Sequence, residues 1–365
     1  MKIEIFDTTL RDGEQGAGVE FSRDDKIDVI HALDALGVSY IEVGMITDES
    51  GKEYFDSLGE VQASLMNAKL SVFTRTCKAG ERAAESRLLT LAASVDVPAV
   101  TVYGKSWLYQ VTDVLGATAE ENLRIIKESV EFLVASGKEV IFDAEHFFDG
   151  YSDNPTYAMS VIETAFAAGA SRVVLCDTNG GMLPDVISLV TAAVCEKFDR
   201  IGIHCHNDMG MAVACTVSAV LAGAMQIQGT VSGMGERCGN ANLNTLIPVL
   251  QLKLGFDCVG DKISSLTAIA RAVNESANLS FDENEPFVGG YAFTHKAGAH
   301  IDGVKKAPRS FEHISPETVG NTRNILVSTL SGRAAIIEKM TLYLAQRGED
   351  FSTLTKDDPR VLRAA

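Results

Sequence analysis

Short runs rich in β-branched and other apolar residues alternate along the chain with longer stretches whose apolar positions recur at helical spacing. The short runs read as strands: Ile3–Phe6, Tyr40–Val43, Leu70–Phe73, Ala99–Val102, Glu139–Phe142, Arg172–Leu175, Arg200–Ile203 and Gln226–Thr230. Ser22–Leu36 shows the clearest helical pattern. Ile27, Ile30, Ala32, Leu33 and Leu36 form its apolar side, and Ser22 with Asp25 three residues on resembles an N-terminal cap. Ala119–Ala135, Pro155–Ala168, Pro184–Lys197 and Met211–Ala222 read the same way. Eight strand–helix repeats predict a parallel sheet, and eight is the number that closes a (β/α)8 barrel. An open doubly wound sheet is the alternative, but it carries a glycine-rich turn after its first strand. Here Asp7-Thr8-Thr9-Leu10-Arg11-Asp12-Gly13 fills that place with a single glycine, which favours the barrel.

The pattern changes after Gly255. Asp261–Ala277 reads as a helix, 278–290 as a polar, turn-rich linker, and Tyr291–Asn324 as irregular chain. Arg333–Gln346 is helical again, followed by a charged tail. The expected organisation is an α/β TIM barrel over 1–277, the linker, and a smaller, mainly helical region over 291–365 that contributes to the active site. A chain of 365 residues accommodates a barrel of ~250 residues with such an appendage.

Composition narrows the function. With 46% apolar and 22% charged residues the chain is an ordinary globular protein. Its 32 Lys plus Arg against 49 Asp plus Glu give a net charge of −17, which argues against nucleic-acid or anionic-membrane binding. No apolar run approaches the ~20 residues that span a bilayer, and the charged N-terminus does not resemble a signal peptide. Seven cysteines, an odd number without CxxC spacing, fit free thiols in a reducing compartment, so a cytoplasmic location is expected.

In a barrel, function sits where the strands end. His204-Cys205-His206 ends the seventh strand; residues two apart share a face, so both imidazoles converge while Cys205 turns away. Asp12 follows the first strand and Asn240 lies beyond the eighth. Two imidazoles, a carboxylate and an amide oxygen from three adjacent strands suit a divalent cation such as Mg²⁺, Mn²⁺ or Zn²⁺. Arg11 beside Asp12 is a planar cation suited to a carboxylate or a developing enolate. Glu145, on the same strand face as Asp143, is either a partner for Arg11 or a general acid/base. Thr178 offers a hydroxyl at the end of the sixth strand, where Asp177–Gly181 also reads as plain turn chemistry. The loop Gly233–Asn240 has three glycines and reads as a backbone brought close to a ligand, or as a flexible turn. Cys238 within it has no sequence-near base that would make it a nucleophile.

Three motifs carry a family resemblance. Phe6-Asp7-Thr8-Thr9-Leu10-Arg11-Asp12-Gly13-Glu14-Gln15, the His204–Asn207 stretch and Gly235–Leu243 resemble the metal-dependent Claisen-condensing and lyase barrels. That family includes isopropylmalate, homocitrate and citramalate synthases and hydroxymethylglutaryl-CoA lyase. The stretches Gly104–Trp107, Phe142–Tyr151, Cys176–Gly181 and His295–His300 look most like the citramalate synthase branch. The lyases lack a downstream segment such as that containing His295 and His300. The resemblance implies condensation of acetyl-CoA with pyruvate to citramalate and CoA, an entry to isoleucine. It implies that Asp12, His204 and His206 hold the metal with Asn240 completing the set, that Arg11 stabilises developing negative charge, and that Thr178 binds the carboxylate. Glu145 and His300 share the proton traffic, and a homodimer is implied. Lys305, Lys306 and Arg309, the densest basic cluster past the barrel, read either as a solvated patch or as a contact for the CoA phosphates.

Two departures stand out. Phe311 occupies the place where family synthases often carry a tyrosine, so Tyr291 or an ordered water is expected to substitute. The regulatory domain of full-length family members is not contained in the chain up to Ala365, so feedback inhibition is expected to be absent. The alternatives are a sibling synthase for another 2-oxo acid, such as 2-oxoisovalerate or 2-oxoglutarate, and a non-catalytic metal-binding barrel. Only Arg75 on strands two to five offers a distal carboxylate a partner, which disfavours 2-oxoglutarate.

Overall fold

The computed structural model describes residues 2–47, 52–326, 333–345, 347, 354–355 and 357–364. The chain divides into two compact units, Met1–Lys262 with Ile269–Ser280, and Ile263–Ala268 with Phe281–Ala365.

In the first unit eight strands close a parallel barrel in chain order: β1 (Glu4–Asp7), β2 (Tyr40–Met45), β3 (Lys69–Arg75), β4 (Ala99–Lys105), β5 (Glu139–Glu145), β6 (Arg172–Asp177), β7 (Ile201–Cys205) and β8 (Gln226–Gly229). β1 pairs with both β2 and β8, which makes the closure. The helices between them start where local chemistry dictates. Arg23–Leu36 opens on a full capping box, Ser22 Oγ accepting from the Asp25 N–H and the Asp25 carboxylate from the Ser22 N–H. Ala119–Ala135 is helical between the expected ends, with Thr118 as its cap. Pro155 and Pro184 stand in the first turn of their helices, where a missing N–H costs nothing.

Alternate residues of each strand face the lumen. Phe6, Tyr40, Ala99, Ile141, Val174 and Cys176 pack together there, the Phe6 and Tyr40 rings stacked at 5.5 Å. Toward the strand starts, polar clusters close the lumen. Tyr40 Oη and Lys69 Nζ donate to Glu139 (2.8 and 2.6 Å), and Arg172 and Gln226 donate to Glu4 (2.7 and 3.1 Å for the shortest contacts). The same parity carried to the strand ends puts Glu42, Phe73, Tyr103, Asp143, His204 and Gln228 at the barrel mouth.

Most strands run further than their apolar runs. β4, β5 and β6 extend to Lys105, Glu145 and Asp177, into the polar residues of the mouth. Helices Lys52–Ser64, Arg87–Ser94 and Phe147–Asp153 complete the unit. The expected Asp261–Ala277 helix is a 3₁₀ stretch, Gly260–Ser265, followed by an α-helix, Leu266–Ser276.

The second unit is more ordered than its sequence pattern promised. A short helix, Gly298–Lys306, and a two-stranded parallel pair, β9 (Thr294–His295) with β10 (Asn324–Ile325), occupy the stretch expected to be irregular. Ile301 and Ile325 are buried against each other. Glu312 accepts both Arg323 nitrogens at 2.6 Å and faces His295 at 3.1 Å. Within 278–290, read as a linker, Phe287 and Val288 are buried, and Asn321 Nδ2 donates to the Phe287 and Gly289 carbonyls. The described part of the later helix is Arg333–Ala345, and Gln346 lies outside the described residues. No described helix is long and apolar enough to cross a membrane.

Candidate active site

The turn after β1 is built by its own side chains. Both Asp7 oxygens hold Thr9, through its N–H (2.9 Å) and its hydroxyl (3.0 Å). The Thr9 oxygen in turn accepts the Val231 N–H from beyond β8. The Thr8 carbonyl accepts the N–H groups of Arg11, Asp12 and Gly13, curling the chain so that Arg11 and Asp12 stand over the mouth. Asp7 has no cation beside it, and burial pushes its carboxyl up to about 7.

Asp12, His204 and His206 are all buried and present one ligand atom each, all within 4.8 Å of one another. Asp12 Oδ2 lies 3.2 Å from His204 Nε2 and 3.8 Å from His206 Nε2; the two imidazole nitrogens are 3.3 Å apart. Cys205 is buried on the opposite face, near Thr216. Burial alone would raise Asp12, but Arg11 and the His204 hydrogen bond hold it well below the usual carboxylate range. Burial and the neighbouring His204 lower His206 to about 4, leaving it neutral at pH 7. A carboxylate and a neutral imidazole are the forms a metal requires.

The surroundings fit a dication. Oδ1 of Asn240 is buried without a hydrogen-bond partner, as is Oδ1 of Asp12. Asn240 pairs across an isolated bridge with His206, and its amide nitrogen is fixed on the Met234 carbonyl at 3.1 Å, which leaves the oxygen as the free end. Three buried carboxylates, Asp12, Glu42 and Asp143, face a single buried guanidinium, Arg11. The lumen thus holds more buried carboxylate than Arg11 alone offsets, an environment that favours a cation. Without it, burial and the Glu42 charge push Asp143 up to about 7.

The glycine-rich loop has a different task from the one expected. A Cβ on Gly235 would collide with the Asn240 amide, and one on Gly239 with the Gly233 carbonyl. Both glycines have positive φ, 155° and 87°. Their close approach is to the loop's own atoms, and it seats Asn240 rather than cradling a ligand. Cys238 is exposed.

Arg11 is gripped on three sides. Nε meets Glu42 Oε2 at 2.5 Å, Nη1 meets Asp12 Oδ2 at 3.1 Å, and the guanidinium lies 3.9 Å from the Phe73 ring centroid. Phe73 stacks on Tyr103 at 5.1 Å. Burial would lower the Arg11 pKa, but Glu42 and Asp12 hold it above its ordinary value, so it stays charged. The buried partner of Arg11 is thus Glu42, which the sequence reading missed, and not Glu145. Glu145 instead pairs with Lys105, its register neighbour on β4, at 2.5 Å. A single acid inside the apolar run Tyr40-Ile41-Glu42-Val43 was the available signal, since a charge on a strand buried on both faces needs a partner.

Thr178 Oγ1 accepts the His146 N–H at 2.8 Å, which leaves its own proton free to donate. His146 sits at φ 58°, ψ 35°, in the left-handed region that few non-glycine residues adopt. Its ring faces Asp149 at 3.4 Å, which also accepts from Asn179. Asp177 accepts the Gly181 and Met182 N–H groups, the turn role anticipated for it. Arg237, also missed, clamps Asp208 with two nitrogens and reaches the Thr178 carbonyl at 2.8 Å, tying three mouth loops together.

These groups surround a cavity of about 190 Å³ lined by Arg11, Asp12, Gln15, Met45, Phe73, Tyr103, Asp143, Glu145, Cys176, Thr178, His204, His206 and Glu236. Arg11 is the one basic side chain besides the histidines among them, and Arg75 does not line it. The remaining expected site residues belong to the second unit. His300 is exposed and stacks on Phe311 at 4.3 Å; Lys305 and Lys306 end the helix Gly298–Lys306, with Lys306 paired to Asp302 at 2.6 Å; Arg309 lies in the next turn.

The HMGL-like family model matches residues 2–273, and the homocitrate synthase post-HMGL domain-like model matches 287–356. The chain is 47% identical over 343 residues to an (R)-citramalate synthase of Aquifex aeolicus, covering 93% of this chain and 65% of that protein. It is 42% identical over 366 residues to the (R)-citramalate synthase of Sulfolobus acidocaldarius, covering 99% of this chain and 68% of that protein. The chain therefore spans about two thirds of the length of these relatives. Among solved structures, the HMG-CoA lyase of Bacillus subtilis superposes with a TM-score of 0.64 at 20% identity, over 77% of this chain and 95% of that one, and shares the barrel. By its family match and its 42–47% identity to these synthases, the chain belongs to the HMGL-like family, on its citramalate synthase branch.

Proposed function

We propose that this chain condenses acetyl-CoA with pyruvate and water to give citramalate and CoA, as a step toward isoleucine in the cytoplasm. The observation that carries the reading is the Asp12–His204–His206 cluster beside a buried Arg11, opening on a small cavity with aromatic walls. Asp12, His204, His206 and the free Asn240 oxygen would hold a divalent cation, which when bound supplies Lewis acidity at a keto oxygen. Arg11, fixed by Glu42 and Phe73, presents its remaining N–H groups to charge that develops on oxygen. Thr178, its acceptor side already used by His146, donates to the substrate carboxylate. Glu145, oriented by Lys105, takes a proton from the weakly acidic acetyl methyl, and His300 serves as the second proton carrier. Lys305, Lys306 and Arg309 meet the CoA phosphates, and the working form is a homodimer.

Two results check this reading. A thiol-release assay with acetyl-CoA across 2-oxo acids should give pyruvate at least a tenfold higher kcat/KM than 2-oxoisovalerate, because exclusion of extra methyl groups is worth ~1–3 kcal/mol per carbon. A preference for 2-oxoisovalerate reassigns the chain to the isopropylmalate reaction. Thr178→Val should raise KM for the 2-oxo acid by about tenfold to a hundredfold, the worth of a hydrogen bond to a charged group, while Thr178→Ser keeps it. Equal KM values in the two variants would remove Thr178 from carboxylate binding.

A further inference from the structure

Behind His204 lies a hydrogen-bonded line that none of the proposed steps uses. Gln228 on β8 is fully buried, and its Oε1 lies 2.8 Å from His204 Nδ1. Its amide nitrogen donates to Asp143 Oδ1 on β5 at 3.0 Å. The three residues sit on different strands and converge beneath the mouth: β7 and β8 are neighbours in the barrel, and β5 faces them across it. The direction of the line follows from its far end. Gln228 turns its NH₂ toward Asp143, and its carbonyl therefore toward the imidazole. A carbonyl only accepts, so His204 must carry its proton on Nδ1. With a cation in place of the Asp12 contact, Nε2, the atom 3.2 Å from Asp12, would then present its lone pair as a ligand.

We infer that Gln228 is a positioning residue for the metal site: oriented by Asp143, it fixes the tautomer and ring orientation of His204 so that Nε2 is preorganised as a ligand. This rests on the metal site of the proposed function and adds two residues to it. Groups that hold a ligand imidazole by its second nitrogen are worth about tenfold to a hundredfold in metal affinity. The usual holder is a carboxylate in direct contact. Here the carboxylate stands one residue further back and acts through an amide, which keeps a second negative charge out of contact with the imidazole. Arg11 bonds to Glu42 and Asp12, and neither bond replaces the Gln228 contact with His204 Nδ1.

The test is titration of the metal-depleted full chain with Mn²⁺, followed by electron paramagnetic resonance, and with Zn²⁺ by calorimetry. Gln228→Leu, close in size but unable to accept, should weaken both metals about tenfold to a hundredfold. The double substitution Gln228→Glu with Asp143→Asn moves the carboxylate one step toward the imidazole and keeps every donor facing an acceptor. It should retain wild-type affinity. Imidazole ¹⁵N shifts of His204 should report the Nδ1–H tautomer in the wild type and the double variant, and lose it in Gln228→Leu. Wild-type affinity in Gln228→Leu, or an equal loss in both variants, would overturn the inference, since packing alone would not distinguish them. A wild-type chain that binds neither metal would instead overturn the metal site itself.

Discussion

His206→Ala is expected to lose divalent-cation binding and at least about a thousandfold in turnover, while Cys205→Ala, one residue away, keeps both. The contrast follows from strand alternation. His206 and His204 turn to the lumen, where their Nε2 atoms stand 3.3 Å apart beside Asp12, and Cys205 turns to the helix layer. Removing His206 leaves a carboxylate, one imidazole and the neutral Asn240 oxygen, too weak a set to seat a cation against the competing water. Polarisation of an oxygen by a bound cation is worth several kcal/mol, and each 1.36 kcal/mol is tenfold in rate. Dialysis against a chelator should produce the same loss in the wild type, and added Mg²⁺, Mn²⁺ or Zn²⁺ should reverse it there but not in His206→Ala. Metal content measured beside the steady-state rate checks both halves. Equal effects of the His206 and Cys205 substitutions would mean that the lumen face has been misassigned.

Arg11→Met should cost about 3–5 kcal/mol of stability as well as activity, because it strands Glu42 in the lumen without a partner. Glu42 is fully buried and Arg11 8% exposed, so solvent screens little of their interaction. Lysine is no substitute, since Arg11 uses a planar group to meet Glu42, Asp12 and the Phe73 face together. The two losses separate in a double variant. Arg11→Met with Glu42→Leu removes both charges, and replacing a buried ion pair with apolar residues of similar volume is often neutral. Its melting temperature should return most of the way to wild type while its turnover stays at the level of Arg11→Met. Recovery of turnover in the double variant would show that Arg11 acts only through the fold.

The sequence carried the barrel because eight strand–helix repeats admit few closures, and the helix Ala119–Ala135 was legible to the residue because its amphipathic stripe is long. It carried Asp12, His204 and His206 because strand parity and the adjacency of the first, seventh and eighth strands need no coordinates. What it missed has one cause in several places. The strand readings stopped where apolar runs stop, yet β5 continues through Asp143 to Glu145 and β6 to Asp177, because each polar residue finds a partner: Gln228 across the lumen for Asp143, Lys105 on the next strand for Glu145, and the N–H groups of its own turn for Asp177. Glu42 and Gln228 were hidden for the same reason: each looks like a break in an apolar strand until its partner on another strand is known. Of the two roles read for Glu145, partner to Arg11 fails on register, since β4 and β5 place Lys105 directly beside Glu145. The helix Gly298–Lys306 escaped because its nine residues bury only Ile301 and Val304, too little for a helical period to show.

The proposed role of the metal cluster and Arg11 is carbon–carbon bond formation between a thioester methyl and a 2-oxo acid. Acetyl-CoA labelled with ¹³C at the methyl group, incubated with pyruvate and the metal-loaded chain and followed by NMR, tests it most directly. One labelled citramalate methylene is expected for each CoA released, and neither product after chelation. CoA release without labelled citramalate, or citramalate formed at an undiminished rate in the chelated chain, would contradict it.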